Sequence, residues 1–418
     1  MSLEREIDQL LARHVQPDGP GAAVAVLQNG AFLHRKAYGL ADLEWATPLR
    51  PDCVFRIASL TKQFTAVAIM MLDERGALSI DVPIERYLAD WQPRGRCVTA
   101  RHLLNHTSGI WVHDRAEAVR ALGPYPSLID EVRLVCSREF AAEPGAVYRY
   151  NNGGYLLLGV VIERLSGLSF GDFLHKNIFE PLGMYRTGLL ADEAITPLRA
   201  RGYVRGRSGY HNARPDLLDW RRAAGGLGST LDDLALWDRA IRHDRLIHRE
   251  TFDEMLAPAP LSDGTSYPYG FGWGLTEDYL GARIYHHAGG ISGFTCQMLH
   301  LRDEDATTIV LSNLDLFPFD QVSRGLVRAI KDQPYRTPPL AELTSQHLAT
   351  CGGRFVSADG GVFVIADNPA MAALGDDRLC EPADPEVEYR FSEPNGGRFQ
   401  RLDHVSPLWP VSTYRRTD

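Results

Sequence analysis

The residues with the clearest chemical potential are Ser59 and Lys62, in "RIASLTKQFTAVAIMMLDERG" (56–76). Of the chain's 44 basic residues only Lys36, Lys62, Lys176 and Lys331 are lysine. Arginine cannot release its proton at any workable pH, so a lysine at the head of an apolar stretch marks a place where a proton can move. If a helix begins near Ser59, the i, i+3 spacing sends both side chains from one face of its first turn. The free N–H groups there, the positive end of the helix dipole and the apolar neighbours Phe55, Ile57 and Phe64 favour a neutral amine or a negative oxygen. A serine hydroxyl becomes a useful nucleophile once such a base takes its proton. The plainer reading is that Ser59 caps the helix.

Two further stretches carry matching groups. "EPGAVYRYNNGGYLLLGVVIE" (143–163) sets Tyr150 and Asn152 just before a strongly apolar helix. A phenol beside cations can relay a proton to a departing amine, and the Asn152 amide can donate to a substrate carbonyl while accepting from Lys62. "YHHAGGISGF" (285–294) puts His287, Gly289 and Gly290 on or at the end of a strand. Neighbouring strand residues point to opposite faces, which argues against His286 and His287 sharing a metal. Glycines there let a substrate backbone lie along the strand, and the Gly290 N–H can join that of Ser59 as an oxyanion hole. The bland counterparts are a core tyrosine, a loop asparagine and a glycine-rich strand end with solvated histidines.

The elements that must position these groups are legible as patterns. Residues 19–43 read as a hairpin closed by Asn29-Gly30. From about 77 to 220 the apolar spacing is helical, as in "TARHLLNHTSGI", "GGYLLLGVVIERLSG" and "FGDFLHKNIFEPLGM". Strand patterns return at 269–275, 282–290, 293–301 and 306–314, and "FDQVSRGLVRAIKD" closes the unit as a helix. Strands from both ends around a helical middle predict one layer of sheet and helices with an inserted all-α region. The proline-rich "QPYRTPPLAEL" (333–343) reads as a linker, and the short alternating runs beyond it as a small β-barrel or sheet, with one further helix around Ala370. The expected domains are therefore 1–335 and 340–418.

Composition narrows the partners. At 418 residues with a net charge of -9, the chain carries no basic stripe for nucleic acid, and no apolar run approaches the roughly 20 residues that span a bilayer. The amino terminus "MSLEREIDQLLARH" reads as an amphipathic helix and not as a secretory signal. Its six scattered cysteines read as free thiols. The expectation is a cytoplasmic protein, or a periplasmic one if a leader has been trimmed. His102 and His106 lie four apart, but no third ligand follows at useful spacing, so neither metal nor cofactor is expected. The aromatic run Tyr267, Tyr269, Phe271 and Trp273 reads as strand core, with a border of the cleft as the alternative.

The ordered triple S-x-x-K (59–62), Y-x-N (150–152) and H-x-G (287–289) resembles the three motifs of the penicillin-recognising serine hydrolases, a class C β-lactamase-like superfamily. "LLNHTSGI" (103–110), "FEPLGM" (179–184) and "AAGGLGSTLDDLALW" (223–237) are similar as well. The likeness spans roughly residues 10–330, and within the superfamily the D-aminopeptidases are the most similar branch. It implies an α+β fold of the β-lactamase/DD-peptidase type, an antiparallel sheet flanked by helices, followed here by a small C-terminal β-barrel domain. It implies an acyl-enzyme on Ser59, with Lys62 as base and Tyr150 as proton relay. Asn152, His287, Gly289 and Gly290 would bind substrate. The implied substrates are small amides or short peptides with a D-residue at the acyl position. Alternatives are a family VIII-type carboxylesterase, a weak β-lactamase or DD-peptidase, and a non-enzymatic peptidoglycan-peptide binder. Two departures stand out: His287 replaces the lysine of the K-T-G motif, and the chain has room for one barrel where D-aminopeptidases carry two.

Overall fold

Alternate side chains of Ala22–Leu27 enter different cores. Ala22, Val24 and Val26 face one side of a sheet, and Ala23, Ala25 and Leu27 the other. This is why the run reads as continuously apolar: period-two alternation is erased when both faces are covered. The structure, a computed structural model, describes residues 2–417 except 89–90, 92, 113–114, 124–126, 192–193, 215–221, 336–339, 343, 358–361, 366–370, 376, 382 and 396–397.

The main sheet has six strands: β1 (Ala22–Gln28), β2 (Ala31–Tyr38), β3 (Gly274–Tyr279), β4 (Ala282–Ile291), β5 (Phe294–Leu301) and β6 (Ala306–Ser312), in the order β3-β4-β5-β6-β1-β2. Strands from both ends of the sequence thus meet where β1 pairs antiparallel with β6, Ala22 opposite Ser312. Asn29 (φ 49) and Gly30 (φ 75) make the left-handed turn of the expected hairpin. The flanking helices include α1 (Leu3–Ala12), α2 (Thr61–Glu74), α3 (Asn152–Ser166), α4 (Leu231–Arg242) and α5 (Phe319–Ile330). α1 and α5 contribute Ile7, Leu11, Val322 and Leu326 to one core. α2, α3 and α4 fill the larger one with residues such as Phe64, Leu157 and Trp237.

Two expectations need correction. The strand foreseen at 269–275 begins only at Gly274, because the chain turns at Gly272 (φ 81), and Tyr269 touches the ladder through a single bridge to Gly274. The helix foreseen around "TARHLLNHTSGI" is one short piece, Ala100–Leu104. It stops where His106 (φ 62) and Gly109 (φ 67) take left-handed backbone.

The described residues divide into two units, one of 1–277 with 282–330 and the other of 278–281 with 331–418. The second is built on a seven-stranded antiparallel sheet: β7 (Gly353–Ser357), β8 (Val362–Ile365), β9 (Ala372–Gly375), β10 (Arg378–Glu381), β11 (Asp384–Asn395), β12 (Arg398–Ser406) and β13 (Trp409–Arg416). Its order is β8-β7-β13-β12-β11-β10-β9, so the expected barrel is a curled sheet, without pairing between β8 and β9 among the described residues. Phe355, Leu379, Tyr389, Phe391 and Leu402 fill its own core. The helix expected around Ala370 lies outside the described residues. Among these residues no helix is long and apolar enough to cross a membrane.

Candidate active site

Ser59 stands in a 3-10 turn, Ala58–Leu60, immediately ahead of α2. The helix cap falls on Leu60 without a side-chain cap bond, so Ser59 does not serve as the N-cap. Ala58 holds φ 43, a left-handed conformation that a residue with a Cβ adopts only under constraint. Part of that constraint is Gly289 on β4. A Cβ there would sit 2.5 Å from the Ile57 carbonyl oxygen, 2.7 Å from Cys296 Sγ and 3.1 Å from the Ser59 nitrogen. The strand can approach the serine turn this closely only because residue 289 has no side chain.

Lys62 is fully buried, and its Nζ lies 3.2 Å from Ser59 Oγ. It also donates to Asn152 Oδ1 and to the Ala224 carbonyl, both at 2.8 Å. The first turn of α2 is laced to the segment that supplies this carbonyl: Thr65 Oγ1 donates to Ala223 O at 2.6 Å, and Thr61 Oγ1 accepts from Leu227 N–H at 3.2 Å. A neutral amine has two protons and one lone pair. It can satisfy both fixed acceptors and still present the lone pair to the serine hydroxyl. Asn152 opens α3, whose cap is the side chain of Asn151, accepting from Gly153 N–H at 2.8 Å.

Tyr150 is 38% exposed, and Lys62 Nζ lies 4.7 Å from its ring centroid. Its ring is 4.4 Å from that of His106 and 6.1 Å from that of His287. His287 is buried. Its Nδ1 lies 2.6 Å from the Ala288 carbonyl and its Nε2 2.9 Å from the Tyr269 hydroxyl. A carbonyl only accepts, so Nδ1 carries the proton and Nε2 accepts from the tyrosine. Burial, and secondarily the charge of Lys62, push this imidazole down to about 3, so it is neutral at any ordinary pH. The solvated histidines of the bland reading are therefore excluded. Gly290, by contrast, is exposed, with open space where a side chain would point.

Residues from all three motifs are thus gathered around Lys62. Two neighbours of the site were given no role in it by the sequence reading: Tyr269, read as strand core with a border of the cleft as the alternative, and His106, weighed only as a metal ligand beside His102. The glycine at 272 carries a signal for the first. His102 and His106 are engaged separately, His102 Nδ1 with Thr99 N–H and His106 Nδ1 with Asn151 N–H. Among the described residues no group of three His, Cys, Asp or Glu side chains is placed to hold a metal ion.

The profile of the Beta-lactamase family matches residues 3–332. A penicillin-binding protein of Bacillus subtilis (strain 168) is 30% identical over 75% of this chain and 73% of its own length. The D-aminopeptidase of Gluconobacter oxydans (strain 621H) is 31% identical over 74% of this chain, but the match spans only 58% of that protein. The D-amino acid amidase of Ochrobactrum anthropi SV3, solved with D-phenylalanine, superposes with a TM-score of 0.67 at 25% identity. That likeness covers 80% of this chain and all of the amidase (100%). The chain belongs to the beta-lactamase family and is a serine hydrolase.

Proposed function

We propose that the protein hydrolyses amide bonds of small amides or short peptides, with a D-amino acid at the acyl position, through an acyl-enzyme on Ser59. Ser59 Oγ attacks the substrate carbonyl carbon while its proton passes to Lys62 Nζ. The N–H groups of Ser59 and Gly290 stabilise the oxygen that becomes negative. The C–N bond then breaks as Tyr150 delivers a proton to the leaving amine and recovers one from Lys62. A water, deprotonated by the same pair, releases the acid and restores Ser59. Asn152 orients Lys62 and offers its amide nitrogen to the substrate, and His287 holds the β4 edge.

The observation that carries this reading is the placement of Lys62 Nζ, 3.2 Å from Ser59 Oγ and tied to two pure acceptors. The neutral state of His287 favours amides over β-lactams, since a histidine held down to about 3 supplies no cation for a β-lactam carboxylate. The names of the relatives, D-aminopeptidase and D-amino acid amidase, support the stereochemical preference.

A fluorophosphonate probe tests the nucleophile: the intact protein gains one adduct, and Ser59→Ala gains none. An unlabelled wild type would end the hydrolase mechanism. A panel of D-alanine and L-alanine p-nitroanilides beside p-nitrophenyl esters tests the substrate. Turnover of the D-anilide above the L-anilide is expected, whereas esters alone being cleaved would replace the amidase by an esterase.

A further inference from the structure

His106 is a buried imidazole that the proposed chemistry does not use. It is 2% exposed, and the rings of Tyr148, Tyr150, Tyr155 and Tyr269 surround it at centroid distances of 5.9, 4.4, 5.2 and 4.9 Å. Two of its hydrogen bonds straddle Tyr150. The His106 carbonyl accepts from Arg149 N–H at 2.9 Å, and Nδ1 accepts from Asn151 N–H at 3.1 Å. A backbone N–H can only donate, so Nδ1 must be bare and the ring proton sits on Nε2. That nitrogen is buried with no hydrogen-bond partner among the described residues, a cost that a merely space-filling side chain would not incur. Burial above all holds the ring well below its ordinary basicity, so the acceptor persists across working pH.

We propose that His106 is a positioning residue: by gripping the backbone on both sides of Tyr150 and lying against its ring, it fixes the phenol for proton delivery to the leaving group. The inference rests on the reading of Tyr150 as proton relay, and it assigns a distinct task to a residue 44 positions away in sequence. The carbonyl half of the grip survives any substitution at 106. The imidazole half requires an acceptor at the Nδ1 position. Asparagine can offer its Oδ1 close to that point and tolerates the left-handed backbone (φ 62), whereas leucine of similar shape offers nothing.

The leaving group separates positioning from general loosening. A p-nitroanilide needs its departing nitrogen protonated, while p-nitrophenolate leaves without help. His106→Leu is expected to lower kcat for the D-alanine anilide about 100-fold with KM little changed, the lower end of general acid–base effects. Acylation by the matching p-nitrophenyl ester, read as the initial burst of p-nitrophenolate, and fluorophosphonate labelling should stay within about threefold, and His106→Asn should recover most of the anilide rate. When Tyr150→Phe is already present, adding His106→Leu should cost nothing further, because the group it aims is gone. Equal slowing of anilide turnover and of the ester's acylation burst, an Asn variant no better than Leu, or a further loss on adding His106→Leu to Tyr150→Phe would each overturn the positioning role. Wild-type anilide turnover by Tyr150→Phe alone, or no anilide turnover by the wild type, would remove the relay itself and His106's task with it. Should His106→Leu not fold, His106→Gln, with its amide one bond farther out, is read in the same way.

Discussion

His287 on β4 and His300 on β5 are both buried, both lie beside a tyrosine ring, and both are pushed down to about 3 chiefly by burial. Around His287 the polar groups open outward: Lys62 contacts Ser59, Tyr150 is 38% exposed, and Gly290 leaves open space. Around His300 they close on one another. Its Nδ1 lies 2.8 Å from Thr307 Oγ1, Asp238 Oδ1 is 3.7 Å away, and Arg242 bonds Asp238 at 2.8 Å and also pairs with Asp305. Asp238 is fully buried, and burial outweighs Arg242 in pushing its carboxyl up; for Arg242 the balance favours the charged form. Desolvation makes both histidines unusual, so a shifted basicity alone does not mark a site. What distinguishes the first region is a serine hydroxyl with an amine at hydrogen-bond distance, beside exposed groups.

The strongest way to break this contrast is Lys62→Arg. A guanidinium keeps the charge but cannot accept the Ser59 proton, so turnover should fall by about 1,000-fold or more. Steady-state kinetics on the preferred anilide, with near-UV circular dichroism as a check on folding, measures this. A variant retaining a tenth of the wild-type rate would deny Lys62 its role as base. In the second region the corresponding change, Asp238→Ala, strips a buried partner from Arg242 and should cost about 3 kcal/mol of stability. The retained pairing with Asp305 keeps the loss near the low end of the range for broken buried pairs. Denaturant unfolding reads the cost, and kcat of the folded enzyme should stay within about twofold. Lost turnover with unchanged stability would make the second cluster part of the chemistry and dissolve the distinction.

The same contrast explains what could be read from sequence. The Ser59–Lys62 pair was legible because one helical turn alone brings i and i+3 together, and His287 with Gly289 because strand alternation fixes their shared face. The sheet was legible where alternation survived, and the swap to helices around 77–220 where period 3.6 did. Tyr269 escaped because a single positive-φ glycine at 272 interrupts the alternation, delaying the strand by five residues. His106 escaped because its partner, Asn151 N–H, lies 45 residues away, and a backbone donor leaves no mark in residue types. The cluster around His300 draws on α4, β4, β5 and β6 at once, with no motif at any one of them. The curled sheet was legible as strands, but the lack of pairing between β8 and β9 among the described residues was not, since the pairing of edge strands leaves no pattern in either one.

The subtlest test uses acidity. His300 is held to about 3 in the folded protein against an ordinary value of 6.5, with burial the main cause, Arg242 adding to it and Asp305 opposing. Between those values the unfolded chain binds a proton that the folded one refuses, so stability contributed by the neutral ring falls as pH drops below about 6.5 and is lost further toward 3. At pH 5 this amounts to about 2 kcal/mol relative to pH 7.5. Asp238 acts in the opposite sense, because a carboxyl raised by burial takes up its proton first in the folded state. The wild-type slope therefore mixes both, and the informative quantity is the difference between wild type and His300→Asn. Urea unfolding of each at pH 7.5 and pH 5 should show the variant losing about 2 kcal/mol less on acidification, with kcat at pH 7.5 unchanged. Parallel losses in the two proteins would mean that His300 charges freely where it sits, and the closed cluster would then be far less sealed than its geometry implies.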